Sequence, residues 1–191
     1  MQTRAMTPLG SKLRCLGPVL CALALLALDF GDRPGRSVAA AEAAATELPS
    51  PEGPAILTVT GSIGTTNSDA AAVFDRRMLK ALGVTTLETT TAWDEGTVRF
   101  EGVPLRELLD AVGAMGETIH ALALNGYYVD IPLDDAIIYD VLLAMKMNGS
   151  ELSLRDKGPI WIVYPVSDHP ELDRTEIYGR WIWQLQSLEI R

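Results

Sequence analysis

Apolar residues in this chain change their spacing several times, and each change marks a predicted element. From Ala55 the positions alternate, Ile56, Thr58 and Thr60 against Leu57 and Val59, until Gly61 interrupts them; a period of two predicts a strand. Asp75 stands before Arg76–Leu82 and Gly83 follows, the pattern of an N-cap and a stop around a short helix. Val84–Thr91 is dense in β-branched residues and reads as a strand, with Thr97–Phe100 as a second, shorter one. After Pro104 the spacing widens: Leu105, Leu108, Leu109 and Val112 recur at i, i+3, i+4 and i+7 before Gly113, which predicts an amphipathic helix. Ile119–Leu124 and Tyr127–Ile131 flank Asn125-Gly126, a strong hairpin signal.

Beyond the hairpin the pattern is less decisive. Ala136–Met147 contains the run Val141-Leu142-Leu143-Ala144-Met145, which suits a strand or a buried helix equally, and Asn148-Gly149 turns the chain after it. Ile160–Tyr164 reads as a strand closed by Pro165, and Trp181–Ile190 as a final strand or pair of strands. Many strands, few helices and no regular βαβ alternation predict an α+β fold with mixed sheets.

The first 41 residues differ in character. Arg4, Lys12 and Arg14 precede a thirteen-residue apolar run, Leu16–Leu28, and Ala39-x-Ala41 offers a small-residue cleavage site. A run of this length suits the apolar region of a signal peptide and falls short of the roughly 20 residues that span a bilayer. Residues 1–41 are therefore expected to be a secretory signal, with a retained N-terminal anchor as the alternative. Residues 42–54, rich in Ala, Pro and Glu, are expected to form a flexible leader to a folded domain over 55–191. The expected location is periplasmic or secreted, with no membrane insertion after cleavage.

Charge narrows the partners. Residues 1–41 carry five basic and two acidic residues, so the remainder holds 11 basic and 23 acidic ones, a net of −12. Its cations are scattered, which disfavours nucleic acid, whose phosphates require clustered Lys and Arg. Both cysteines, Cys15 and Cys21, fall within the first 41 residues, so the remainder has neither a disulfide nor a thiolate metal ligand. No Gly-x-Ser-x-Gly elbow, P-loop or Gly-x-Gly-x-x-Gly pattern occurs, and His120 and His169 lack the spacing of a zinc site.

Several short motifs occur in a telling order. They are Gly102-Val103-Pro104-Leu105, Asn125-Gly126-Tyr127, Ile131-Pro132-Leu133-Asp134-Asp135, Leu143-Ala144, Asn148-Gly149, Gly158-Pro159, Val163-Tyr164-Pro165 and Tyr178-Gly179-Arg180-Trp181. The succession resembles the molybdopterin-binding domain of sulfite-oxidase-type oxidoreductases over nearly all of residues 55–190. That resemblance implies the family's fold, a molybdopterin cofactor and an oxidoreductase-like function, in a minimal single-domain member. It also exposes two departures. The family holds its molybdenum through one cysteine, placed about a dozen residues before the Gly-x-Pro-Leu helix entry, where this chain has Thr89-Thr90-Thr91. A threonine hydroxyl is hard and neutral, unlike a soft thiolate. The family's Gly-Pro-x-Arg reads Gly158-Pro159-Ile160-Trp161 here, without the planar guanidinium suited to an oxyanion.

The residues expected around a bound group are Thr90, Trp93, Tyr127, Arg155, Lys157, Gly158, Arg180 and Trp181. Arg155-Asp156-Lys157-Gly158 combines two cations with a glycine amide, either an anion site or a charged turn. Arg180 with Trp181 and Trp183 reads either as a cation-and-ring clamp on a flat heterocycle or as a strand packing its tryptophans into the core. Trp93, beside Asp94-Glu95-Gly96, falls at a pocket mouth if the resemblance holds. Of Tyr127 and Tyr128, only one can face a pocket, because neighbouring strand residues point to opposite sides. Two functions follow as expectations: an exported molybdopterin-dependent oxidoreductase-like domain, inactive if threonine has replaced the metal ligand, or a non-catalytic module that binds or senses a small anionic or heterocyclic ligand. A membrane-bound signalling or redox protein is the expected partner.

Overall fold

The computed structural model describes residues 48–191, so the signal-peptide expectation lies outside the described residues. The described residues fold into two five-stranded sheets, one mixed and one wholly antiparallel, with four short helices. In the first sheet the central strand is the last in sequence. β10 (Leu185–Ile190) runs parallel to β1 (Ala55–Gly61), and β1 pairs antiparallel with β2 (Ala72–Asp75). On its other side β10 pairs with β5 (Thr118–Ala123), which pairs with β6 (Tyr128–Pro132), giving the order β2-β1-β10-β5-β6. In the second sheet β3 (Thr85–Thr90) and β4 (Thr97–Pro104) form a hairpin, and β4 pairs with β7 (Leu142–Met147). The short strands β8 (Ser150–Glu151) and β9 (Trp161–Val163) both pair with β7.

Local chemistry explains most of these elements. Asp75 caps α1 (Arg76–Ala81) by accepting the Met78 amide at 2.8 Å. Its second carboxylate oxygen accepts the amides of Glu52 and Gly53, so the end of the Ala/Pro/Glu-rich stretch is tied to the helix start. The predicted amphipathic helix is α2 (Leu105–Val112), whose four predicted apolar positions are all buried and whose C-terminus ends on Gly113 in the left-handed region. Asn125-Gly126 makes the turn of the β5–β6 hairpin, with Gly126 at φ 84°. The register of β4 against β7 shifts at Glu101–Gly102, and a side chain on Gly102 would meet the Leu143 carbonyl at 2.1 Å. Glycine is therefore required where the two backbones cross.

Three stretches differ from the sequence pattern. The ambiguous Ala136–Met147 splits: α3 (Leu133–Ile138) precedes Asp140 in a left-handed conformation, and β7 follows. The final run Trp181–Ile190 is a strand only from Leu185, because Gln184 adopts φ 52° and breaks the extension before it. Between β9 and that point lie a 3-10 turn (Pro170–Leu172) and α4 (Thr175–Tyr178), which the apolar spacing does not signal. One continuous set of buried apolar side chains draws on both sheets, including Val59, Phe74, Phe100, Leu108, Ile131, Trp161 and Leu188. No helix among the described residues is long and apolar enough to cross a membrane.

Candidate functional site

All four tryptophans of the chain meet at one place. Trp161 comes from β9, Trp181 and Trp183 from the irregular segment before β10, and Trp93 from the loop joining β3 to β4. The Trp93 ring centroid lies 5.9 Å from Trp161, 5.7 Å from Trp181, 5.5 Å from Trp183 and 5.8 Å from Tyr178. Most of these contacts are edge-to-face, the arrangement in which a ring's positive edge meets a negative face. Trp161 and Trp181 are buried, whereas Trp93 is 42% exposed and roofs the cluster.

Beside this roof opens a cleft of about 260 Å³, walled by Trp93, Trp181, Trp183 and Tyr178 on one side and by the hairpin tip at Asn125 and Tyr127 on the other. The Tyr127 hydroxyl donates to the Gly179 carbonyl at 2.8 Å and ties the tip to the tryptophan segment. The indole N–H groups of Trp161 and Trp181 are buried and find no acceptor in the protein. Buried donors are almost always satisfied, so two such groups in one ring cluster, one of them on the cleft-wall residue Trp181, mark unused hydrogen-bonding capacity.

The charged groups near the cluster are already engaged. Lys157 donates to Asp94 Oδ2 at 3.0 Å while its ammonium sits 4.3 Å over the Trp161 ring. Thr91 Oγ1 also donates to that carboxylate and accepts the amides of Trp93 and Asp94, which sets the curl of the loop. Behind the tryptophan floor, Arg180 donates to Asp135, and the same Oδ2 accepts the Tyr164 hydroxyl at 2.8 Å. Burial, reinforced by the Asp135 carboxylate, drives the Tyr164 phenol well above its ordinary pKa. The Tyr164 ring in turn stacks near Trp181, 6.4 Å centroid to centroid.

Of the residues singled out in the sequence, the structure brings Trp93, Tyr127 and Trp181 together in the cleft wall, with Lys157 at its back. The other four lie elsewhere. Thr90 is exposed on β3 and its amide donates to Ser167 Oγ, while the buried Thr89 hydroxyl accepts the Ser167 amide. Arg155 is exposed on the turn after Ser153. Gly158 is buried, its amide donates to the Ser153 carbonyl, and a side chain there would strike the Leu152 carbonyl at 2.2 Å. Its glycine is therefore required by a close backbone crossing. Arg180 does not line the cleft and donates to Asp135. Sequence reasoning passed over Trp161 and Tyr178 as members of the cluster and Asp135 as the partner of Arg180. Trp161 lies within an apolar run that reads as core, and Asp135 belongs to an acidic pair at a helix start, so neither carries a local signal.

The chain belongs to the oxidoreductase molybdopterin binding domain family, whose model matches residues 73–167, from β2 through β9. No curated protein matches the chain. The matched stretch holds Trp93, Tyr127, Lys157 and Trp161 and stops short of the Tyr178–Trp183 segment.

The donor set does not fit a molybdenum-bearing pterin. Among the described residues there is no cysteine, and no group of three His, Cys, Asp or Glu side chains is placed to hold a metal. At the threonine triplet, the Thr89 and Thr91 hydroxyls are committed within the protein. The two candidate cations at the ring cluster, Lys157 and Arg180, are each paired with a carboxylate of the chain. What the site does offer is flat apolar surface and, on Trp181, an indole donor without a partner.

Proposed function

We propose that this chain is a metal-free binding module built on the molybdopterin-domain fold, and that it takes a small heterocyclic ligand in the tryptophan-walled cleft. One observation carries the reading: three of the four tryptophans wall one cleft, the fourth packs against them, and the wall residue Trp181 has a buried indole N–H without an acceptor. A planar ring with an acceptor atom would lie against the indoles and satisfy that donor. Edge-to-face ring contacts contribute about 0.5–1.5 kcal/mol each, and a satisfied buried donor about 1–3 kcal/mol. Together they support binding in roughly the micromolar to millimolar range. The N-terminal pattern of basic residues, apolar run and small-residue site supports export, so the ligand would be met in the periplasm or outside the cell.

The test uses full-length protein from a host that makes molybdopterin. Molybdenum and fluorescent pterin are expected to be absent from the purified protein, while benzimidazole changes tryptophan emission saturably. Trp181→Phe, which keeps a ring but removes the N–H, is expected to weaken benzimidazole about tenfold. Stoichiometric molybdenum in the wild type would sink the metal-free reading and return the chain to redox chemistry.

A further inference from the structure

Trp93 and Asp94 are neighbours on the Thr91–Gly96 loop, and each reaches into the body of the domain. The indole enters edge-on among Trp161, Trp181, Trp183 and Tyr178, and the carboxylate takes the Lys157 ammonium at 3.0 Å. The bonds made by Thr91 Oγ1 are internal to the loop and hold it to itself. Gly96, at the far end, adopts φ 75° with open space around it.

A flat ring and a carboxylate side by side, the one on an aromatic floor and the other on an ammonium, is the chemistry of an aromatic carboxylic acid. We propose that this loop occupies its own domain's ligand site as a tethered mimic, and that the ligand is an aromatic carboxylate. On binding, the ligand ring replaces Trp93 against Trp161, Trp181 and Trp183, its carboxylate replaces Asp94 on Lys157, and the loop lifts. This inference rests on the reading of the cleft as a ligand site and adds to it the acid group and the displaced loop.

The energetics favour such an exchange. Ring replaces ring and carboxylate replaces carboxylate, so no charge is left buried and unpaired. Asp94 and Lys157 are each about three-quarters buried, so their pair is worth keeping; the incoming carboxylate re-pairs Lys157 while Asp94 leaves with the loop for water, and neither charge stays buried alone. Trp93 is already 42% exposed, so the loop surrenders only part of its buried surface. Trp161, whose ring meets both Trp93 and Lys157, has a buried N–H without an acceptor, and Trp93 has no acceptor to give it whereas a carboxylate does. A tethered competitor lowers apparent affinity by the fraction of molecules in which the site is open.

The experiment follows the four indole N–H signals of uniformly ¹⁵N-labelled full-length protein during titration with indole-3-acetate, indole and acetate. Indole-3-acetate is expected to shift the tryptophan signals and to bind at least several-fold more tightly than indole, with acetate silent. With the loop open about a tenth of the time, Trp93→Ala is expected to tighten indole-3-acetate about tenfold, because it removes the competitor. Asp94→Asn, which leaves every ring in place, should tighten it in the same direction. Weaker or unchanged binding in Trp93→Ala and Asp94→Asn overturns the displaced loop and makes Trp93 an ordinary wall. Equal affinity for indole and indole-3-acetate overturns the acid group while leaving the cleft as a ring site. If no probe shifts any indole signal in the wild type or in Trp93→Ala, the cleft reading itself fails.

Discussion

Replacing Arg180 by methionine should damage the stability of this domain and leave ring binding nearly intact. Arg180 Nη1 lies 2.5 Å from Asp135 Oδ2, and Asp135 is 7% exposed. The variant would leave that carboxylate in the interior with the Tyr164 hydroxyl as its remaining donor. Removing one partner of a buried ion pair typically costs about 3–5 kcal/mol, because the other charge stays desolvated. The Arg180 side chain keeps 25% of its surface in water, so solvent screens part of the loss and about 2–3 kcal/mol is the fitting figure. With a urea slope of about 1–3 kcal/mol per molar, the unfolding midpoint should fall by roughly 1–2 M. The assay is urea denaturation of the wild type, Arg180→Met, Asp135→Asn and the double variant. The double variant should be more stable than the sum of the single losses predicts by about 1 kcal/mol or more, the signature of a coupled pair. Benzimidazole affinity in Arg180→Met should stay within about threefold of wild type, since the guanidinium is engaged by Asp135 and Arg180 does not line the cleft. An unchanged midpoint together with a large loss of affinity would refute this and restore Arg180 as a ligand clamp.

Two pH effects follow from other groups, one of them bonded to that pair. The phenols of Tyr164 and Tyr178 are both raised by burial, with neighbouring carboxylates Asp135 and Asp173 adding to the effect. A raised pKa in the folded state means that their contribution is complete below pH 10, the ordinary value, and is lost as pH climbs beyond it. Alkaline unfolding followed by circular dichroism should therefore begin above about pH 10, and Tyr164→Phe should flatten that limb. At the acid end, the Met78 and Gly53 amides hold the Asp75 carboxyl below its ordinary 3.8, so its contribution is present above that value and fades as pH falls through the lowered one. Asp75→Asn should remove this part of the acid limb and speed protease cleavage between Leu48 and Pro54; cleavage at the wild-type rate would show that the Glu52 and Gly53 contacts hold nothing down.

The elements were legible where one local rule was sufficient. The apolar stripe of α2, its glycine stop, the Asp75 cap and the Asn125-Gly126 turn each depend on residues within one turn of chain, so their spacing identifies them. The order of dipeptides from Gly102 to Trp181 likewise sufficed to recognise the family. Elements that depend on distant partners were not legible. The run around Val141–Met145 became strand because β4 and β9 flank it, and nothing within the run distinguishes that from a buried helix. Trp181 and Trp183 were expected to alternate along a strand, yet Gln184 ends the strand below them and the rings reach the cluster from an irregular segment.

The site shows the same division. The sequence by itself determined that the folded part has no thiolate, an acid excess and four tryptophans, since these are matters of composition. Only the tertiary structure decided which groups remain available for a ligand. Arg180 and Asp135 lie 45 positions apart, and Lys157 and Asp94 lie 63 apart, so the neutralisation of both cations is invisible until the chain is folded. The physical reason is that a side chain's free valence depends on what packs against it. A guanidinium paired with a buried carboxylate has spent its charge, whereas an indole N–H buried without an acceptor keeps its donor unused.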